Sequence, residues 1–372
     1  MIVDDIALTM HPEIGCRTAI HLLDCFDSAG ELFAATADEI VQRSGLKPAL
    51  ARSLSRRECH ARAEREMEFV LKHRIRAIAS GEPEYPRRLK ECPDYPHVLY
   101  VKGDTDLNGS HWLSVVGTRK ITPYGASACE RIVGELAELV PDTVVVSGLA
   151  YGVDIAAHRA AMNAALPTVA VVAHPLTHIY PPRHTESARR MVAEGGAVVS
   201  EFHTGCRSDR SCFVQRNRII AGLGDGTLVV ESAARGGSLI TADMADGYHR
   251  CVMALPGRVG DTYSEGTNNL IRTLKAQMVC SAADIAELMQ WRQARTQPGK
   301  PVSAPTLFDT TAAMPEGEAG RIFALLGDDG PVALDELSLR SGLAPRDLAP
   351  LLLELDLSGF VRKLPGNAYI KN

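Results

Sequence analysis

The chain has 372 residues, 45% of them hydrophobic and 23% charged, with 40 basic against 45 acidic side chains for a net charge of −5. These values exclude a globally disordered chain, a collagen-like or coiled-coil rod and a protein sheathed in positive charge, and the length predicts two or three folded units. The longest apolar runs, such as Leu166 to Ala173, are far shorter than the roughly 20 residues of a membrane helix. Asp4 and Asp5 stand where a secretory leader would be basic, so a cytoplasmic protein with no membrane partner is expected. Nine cysteines without a CxxC pair suit reduced thiols better than a disulfide framework or a zinc site.

Any site for a polyanion must therefore be local, and the charge is distributed unevenly. Ten basic residues against four acids lie between Arg43 and Arg76, and four arginines against Asp209 alone between Arg207 and Arg218. The segment from Glu316 to Asn372 runs the other way, with nine acids and six bases.

Taken in chain order, residues 1 to 80 read as a helical domain. Turns at Pro12-Glu13-Ile14-Gly15 and Ser44-Gly45-Leu46-Lys47 precede helix-compatible stretches from Cys16 to Phe26 and from Pro48 to Arg57. Such Gly-containing turns suit a helix-hairpin-helix, whose backbone amides face a phosphate, and equally a small structural bundle. Residues 81 to 110, with Pro83, Pro86, Pro93 and Pro96, read as an extended connection. Short β-branched runs then begin near Leu113, Thr143, Thr168, Ala197, Thr227 and Cys251, 24 to 30 residues apart, with helical spacing between them in Ala126 to Leu139 and Ile155 to Ala165. Parallel strands need crossovers of this length, so residues 111 to 290 are expected to form a doubly wound, mostly parallel α/β sheet. Residues 291 to 315, with Pro298, Pro301 and Pro305, read as a flexible linker. Residues 316 to 372 suit three short helices (Ala319 to Leu326, Leu334 to Ser341, Pro345 to Leu357) followed by a hairpin, a winged helix.

Ligands of open α/β sheets sit beyond the carboxyl ends of the strands. Val116-Gly117-Thr118-Arg119-Lys120 follows the first strand and Ser147-Gly148-Leu149-Ala150-Tyr151-Gly152-Val153-Asp154 the second. Neither GxGxxG after the first strand nor GxxxxGK[ST] anywhere is present, which disfavours dinucleotide redox chemistry and P-loop ATP hydrolysis. The densest constellation is Phe213-Val214-Gln215-Arg216-Asn217-Arg218, a ring for base stacking beside two guanidinium groups for phosphate. Read from composition alone, those two arginines also suit ion pairs with carboxylates of neighbouring helices. Ser147, Asp154 and His158 have the residue types of a hydrolase triad, but without GxSxG they read as a structural polar set. His174, His178 and His184 lack metal-ligand spacing, so neither a metal nor a cofactor is expected. Gly224-Asp225-Gly226-Thr227 with Glu231 partly resembles the PGGxGTxxE signature of lysine-decarboxylase-like nucleotide phosphoribohydrolases, without its paired glycines and with the glutamate one residue late.

Together the strand-end motifs resemble the DNA-processing protein A family (DprA, or Smf). The matching residues are Val115 to Arg119, Ser147 to Asp154, Tyr180-Pro181, Ser200-Glu201, Arg216 to Leu223, Gly237 to Ala242 and Pro256-Gly257, in the family's order. The resemblance implies an extended Rossmann core, a homodimer without enzymatic turnover, and a single-stranded DNA-binding protein of natural transformation that protects incoming DNA and loads RecA recombinase. It implies a basic pocket holding Gly117, Thr118, Arg119, Ser147, Gly148, Arg183, Phe213, Arg216, Asn217 and Arg218, whereas Arg207 and Arg210 lie in a variable segment. The terminal domains resemble the family's accessories, a helix-hairpin-helix or SAM-like module in front and a winged helix behind. Val214 replaces a usual proline, Gly236-Gly237-Ser238-Leu239 replaces Ser-Gly-Ser-Leu, and Lys275-Ala276-Gln277 replaces a Gly-Ala pair near an expected dimer contact. The alternative is a phosphoribohydrolase-like enzyme on the same fold, with Glu231 as acid or nucleophile and Arg216 holding phosphate. The acidic balance of residues 316 to 372 points that winged helix toward protein contact rather than duplex DNA.

Overall fold

A computed structural model of the chain describes residues 2–207, 209–291, 317–327, 330–364 and 367–371. It divides into two compact units, Met1–Arg295 and Thr296–Asn372. Apart from Trp291, the expected linker lies outside the described residues.

Six helices open the first unit: α1 (Ile2–Thr9), α2 (Cys16–Cys25), α3 (Ala29–Ala34), α4 (Ala37–Ser44), α5 (Pro48–Ser55) and α6 (His60–Lys72). Local chemistry sets their ends. Thr36 and Glu39 form a reciprocal capping box at the start of α4, Gly45 closes it at φ 70°, and Pro48 opens α5. Their apolar faces bury Ile6, Leu8, Leu22, Phe26, Leu32, Ile40 and Leu54 in one core.

Two strands follow, β1 (Arg76–Ala79) and β2 (Val98–Gly103), with α7 (Arg87–Lys90) between them. Both belong to a nine-stranded sheet, β1 antiparallel to β2 and β2 antiparallel to β6. This corrects two boundaries. Residues 1 to 80 are not purely helical, and residues 81 to 110 are not merely a connection, because Val98-Leu99-Tyr100-Val101 is a fully buried apolar strand behind its run of prolines. The period of two explains why it is buried on both sides. Leu99 and Val101 join the core of the sheet, while Val98 and Tyr100 join that of the helices.

The expected β-branched runs form β3 (His111–Val116), β4 (Thr143–Ser147), β5 (Thr168–Val171), β6 (Ala197–Ser200), β7 (Gly226–Val229) and β8 (Cys251–Ala254), and β9 (Gln277–Met278) ends the sheet. From β6 to β9 the pairing is parallel, in the order β6-β5-β4-β3-β7-β8-β9. Leu113, Val115 and Val145 face α8 (Pro123–Leu139), α9 (Val153–Asn163) and, farther on, α14 (Ala282–Leu288). Trp112, Val144 and Val146 face the other core, which holds α11 (Arg210–Leu223), α12 (Gly237–Gly247) and α13 (Glu265–Arg272); α10 (Thr185–Ala193) packs in a separate cluster with β5 and β6. Helices on both faces explain strands that are apolar throughout rather than alternating. In the second unit, α15 (Gly317–Leu325), α16 (Leu334–Ser341) and α17 (Pro345–Leu357) pack with the sheet β10 (Val332–Ala333), β11 (Val361–Leu364) and β12 (Ala368–Lys371) around Ile322, Leu337, Leu348, Leu352 and Val361, a winged helix.

Glu231, at the end of β7, is the fastening that sets the site's geometry. It is 2% exposed. Its carboxylate accepts hydrogen bonds from Thr122 N at 2.9 Å and from Thr122 Oγ1, and its carbonyl accepts from Thr118 N at 2.8 Å. Thr122 is itself the N-cap of α8, accepting from Gly125 N at 3.2 Å. Any side chain at Gly125 would collide with the Glu231 carboxylate, so only glycine allows this approach. The residue read as the acid or nucleophile of an alternative enzyme is thus a buried clamp between β7 and α8. Glu231→Ala is expected to cost about 2–4 kcal/mol by stranding the Thr122 donors. Urea melts of the single variants and of Glu231→Ala with Thr122→Val check this, with the double variant costing less than the sum of the two.

Candidate nucleic-acid interface

β3 and β7 lie side by side, but α8 leaves β3 on one face of the sheet and α12 leaves β7 on the other. Such divergence opens a crevice beyond the carboxyl ends of the strands. A cleft of about 310 Å³ occupies that place. Its walls are Val116 to Arg119 at the end of β3, Ala150 and Asp154 after β4, Ser232, Ala233 and Arg235 to Ser238 after β7, and the face of α11 that carries Phe213, Arg216 and Asn217.

The floor is buried and close to neutral. Arg216 is only 4% exposed, and its Nη1 donates to the Val171 carbonyl at 2.8 Å. Burial pulls its guanidinium down to about 10, an effect that the negative charge of Asp154 partly offsets. Burial pushes the Asp154 carboxyl up, and Arg216 and a hydrogen bond from Ala150 N pull it back in part. Gly148 makes room for this couple, since a side chain there would run into both the Arg216 guanidinium and the Asp154 carboxylate.

The rim is cationic and open. Arg119 is exposed, and its Cζ lies 5.3 Å from the centroid of the Phe213 ring. Arg235 is exposed on the loop before α12. Neither makes a salt bridge to the described residues. Helix α12 starts at Gly237 after Gly236 with no side-chain cap, so its first amides face the cleft unclaimed by any side chain. Asn217 Nδ2 reaches the Gly237 carbonyl at 3.4 Å and ties α11 to that start. An open rim of two guanidinium groups, one ring and a helix N-terminus suits a polyanion with stackable bases.

The structure therefore gathers Gly117, Thr118, Arg119, Phe213, Arg216 and Asn217 in one cleft. Four expected residues lie elsewhere. Ser147 is buried and donates to the Val115 carbonyl at 2.6 Å, and Gly148 lies beneath the floor. Arg183 is exposed on the turn Pro182–His184 and does not line the cleft. Arg218 points away from it, into a buried ion pair with Glu201. The helical period explains this: Arg216 and Arg218 are two residues apart and so cannot share a helix face. Arg235 was missed from the sequence, yet its place between a strand end and a glycine pair is the signal that finds it.

His158 shares no site with Ser147. Its Nδ1 pairs with Thr168 Oγ1 at 2.7 Å, that hydroxyl donates to the Val145 carbonyl, and burial pulls the imidazole down to about 3. His174 and His178 stack with ring centroids 4.8 Å apart, away from His184, which bonds to the Leu149 carbonyl. Among the described residues no three His, Cys, Asp or Glu side chains converge as metal ligands, and no helix is long and apolar enough to cross a membrane.

Residues 76–290 match the family model of DNA recombination-mediator protein A, and residues 304–367 that of the DprA winged helix domain. The chain is 36% identical over 291 residues to Protein Smf of Escherichia coli, covering 78% of this chain and 75% of that one. It is 37% identical over 226 residues to the DNA processing protein DprA of Bacillus subtilis, covering 60% and 75%. The X-ray structure of DprA from Streptococcus pneumoniae superposes with a TM-score of 0.65 at 30% identity, over 76% of this chain and 95% of that one. DNA processing protein A from Helicobacter pylori, whose structure was described for its single-stranded DNA binding mode, superposes with a TM-score of 0.52 at 28% identity, over 59% and 97%. Coverage of more than half of the chain by the family model, with these relatives, shows that the chain belongs to the DNA recombination-mediator protein A (DprA/Smf) family.

Proposed function

We propose that this protein binds single-stranded DNA without reading its sequence and acts in natural transformation, protecting the incoming strand and loading RecA recombinase onto it. The observation that carries the reading is the pair of open arginines, Arg119 and Arg235, on the rim of a cleft that Phe213 lines and whose floor is close to neutral. Free cations at the rim hold phosphates, while the ring offers a face to any base. The Helicobacter pylori relative, with its single-stranded DNA binding mode, supports the choice of strand. RecA loading rests on the family resemblance. A homodimer is supported by the sheet edge at β9, where Met278 is 58% exposed and nearby Leu274 is 90% exposed. The reading requires no turnover, and the carboxylate on which the phosphoribohydrolase alternative depends is committed to capping α8.

The winged helix takes the protein-contact role. Its third helix, α17, carries Asp347, Glu354 and Asp356 against Arg346 alone, an unfavourable surface for a phosphate backbone.

Arg119→Ala and Arg235→Ala should each weaken binding of an oligodeoxythymidylate and lower the salt slope by roughly 0.7, with melting temperatures unchanged. Phe213→Ala should cost about 1–3 kcal/mol of binding. Arg218→Ala should instead destabilise the fold by about 3–5 kcal/mol, since it leaves Glu201 buried and unpaired. Fluorescence anisotropy across a salt series, with thermal melts, separates these effects, and an Arg119→Ala/Arg235→Ala double variant that binds like the parent refutes the assignment. Residues 316–372, which have their own core, should show no micromolar binding to duplex DNA in physiological salt, measured in the same way.

A further inference from the structure

Arg119 and Arg235 leave a second series of open cations unexplained, and it starts at the wall of the cleft. Resting on the single-strand reading above, we propose that the strand leaving the cleft at Phe213 continues past Arg210 and Arg207 onto α6, where Arg62 and Arg65 of the N-terminal helices hold its phosphates.

Phe213 is the hinge of the path. It lines the cleft on one side and, on the other, an adjoining hollow of about 390 Å³ whose walls include His178, Tyr180 and Arg210. Tyr180 is 53% exposed and its ring meets Phe213 edge to face, with centroids 6.4 Å apart. Two rings in succession offer faces that only unstacked bases can use, so the occupant is a single strand rather than a duplex. Asp209, the carboxylate in this hollow, is taken up in capping α11, accepting from Ser211 N at 2.7 Å and Cys212 N at 3.2 Å. Arg210 and Arg207 are exposed, with no salt bridge to the described residues.

Upstream, the loop is fixed to α6. Thr204 N donates to both oxygens of the buried Glu66 carboxylate at 3.0 Å, and Thr204 Oγ1 donates to it as well. Arg62 lies one turn before Glu66 on the same face and reaches over Gly205, where a methyl group would come within 3.4 Å of its Nη2. The neighbouring His203 is held down to about 4, by burial first and then by the charge of Arg62. Arg65 is about 60° round the helix from Arg62, while Glu64 lies about 160° and Glu68 about 120° from Arg62, with Glu68 about 60° beyond Arg65, so Arg62 is the cation farther from both acids. Arg119, Arg210, Arg207 and Arg62 thus follow one another from the cleft to the helical module, and the buried Glu66 contact holds the last step in register.

The test uses the full chain with oligodeoxythymidylates of about 6 and about 20 nucleotides, the short one sized for the cleft and the long one for the whole path. Arg62→Ala with Arg65→Ala should leave the short oligonucleotide unaffected, weaken the long one about tenfold and lower its salt slope by roughly 1.4. Arg207→Ala, on the exposed loop, should give a smaller loss with the same length dependence, which keeps the test sound if the α6 variant melts early. Unchanged affinity for the long oligonucleotide in both variants overturns the proposal, as does an equal loss at both lengths. Arg119→Ala separates the two readings: if it weakens both lengths while the α6 and loop variants weaken neither, only the extension fails, and if it weakens neither length, the cleft reading fails as well.

Discussion

Everything at the site depends on one desolvated couple, Arg216 with Asp154, being closed off beneath the cleft. A guanidinium taken out of water is tolerable only beside a negative charge or a set of acceptors, and here Asp154 and the Val171 carbonyl supply them. Gly148 supplies the space, since any larger residue would displace the couple. The consequence is a floor without surplus charge. A polyanion is then held by the rim, where Arg119 and Arg235 make no salt bridge to the described residues, so binding there breaks no existing ion pair.

The same logic explains how a chain with a net charge of −5 can suit a nucleic-acid strand. What matters is not the sum of charges but how many cations are left unpaired on one surface. Arg43 is held by Glu31, Arg57 by Asp4, Arg88 by Asp225 and Arg218 by Glu201, so much of the basic composition is spent on structure. Those pairs clamp elements together. Arg88, for example, holds the Asp225 carboxylate that also accepts from Trp112 N, which fixes the entry of β7 beside β3.

The parallel sheet was legible in the sequence because fully buried strands show as β-branched runs, and crossovers impose their spacing. Val98 to Val101 carries the same apolar signal, but the prolines around it suggested a connection, and antiparallel addition to an edge leaves no crossover period to find. Within the site, glycine-bearing strand ends pointed to Gly117, Thr118 and Arg119 because close approach restricts residue choice. Arg216 and Arg218 look alike in the sequence, yet helical geometry sends one into the cleft and the other to Glu201. A linear motif records which residues occur together, not which face each occupies, and that is why Ser147, Arg183 and Arg218 were grouped with a cleft they do not line.

Strand β2 makes the N-terminal helices more than an appendage. Because successive residues point to opposite faces, one tetrapeptide places Leu99 and Val101 in the core of the sheet and Val98 and Tyr100 in the core of the helices. Neither core is complete without that strand, so the position of α6 beside Thr204 and Gly205 follows from the sheet rather than from a hinge. Glu66 completes the constraint from the other side by holding Thr204. A cationic surface attached at both ends in this way is preorganised toward the loop that leads to Phe213, and preorganisation lets separate weak phosphate contacts act along one strand instead of each bearing its own ordering cost.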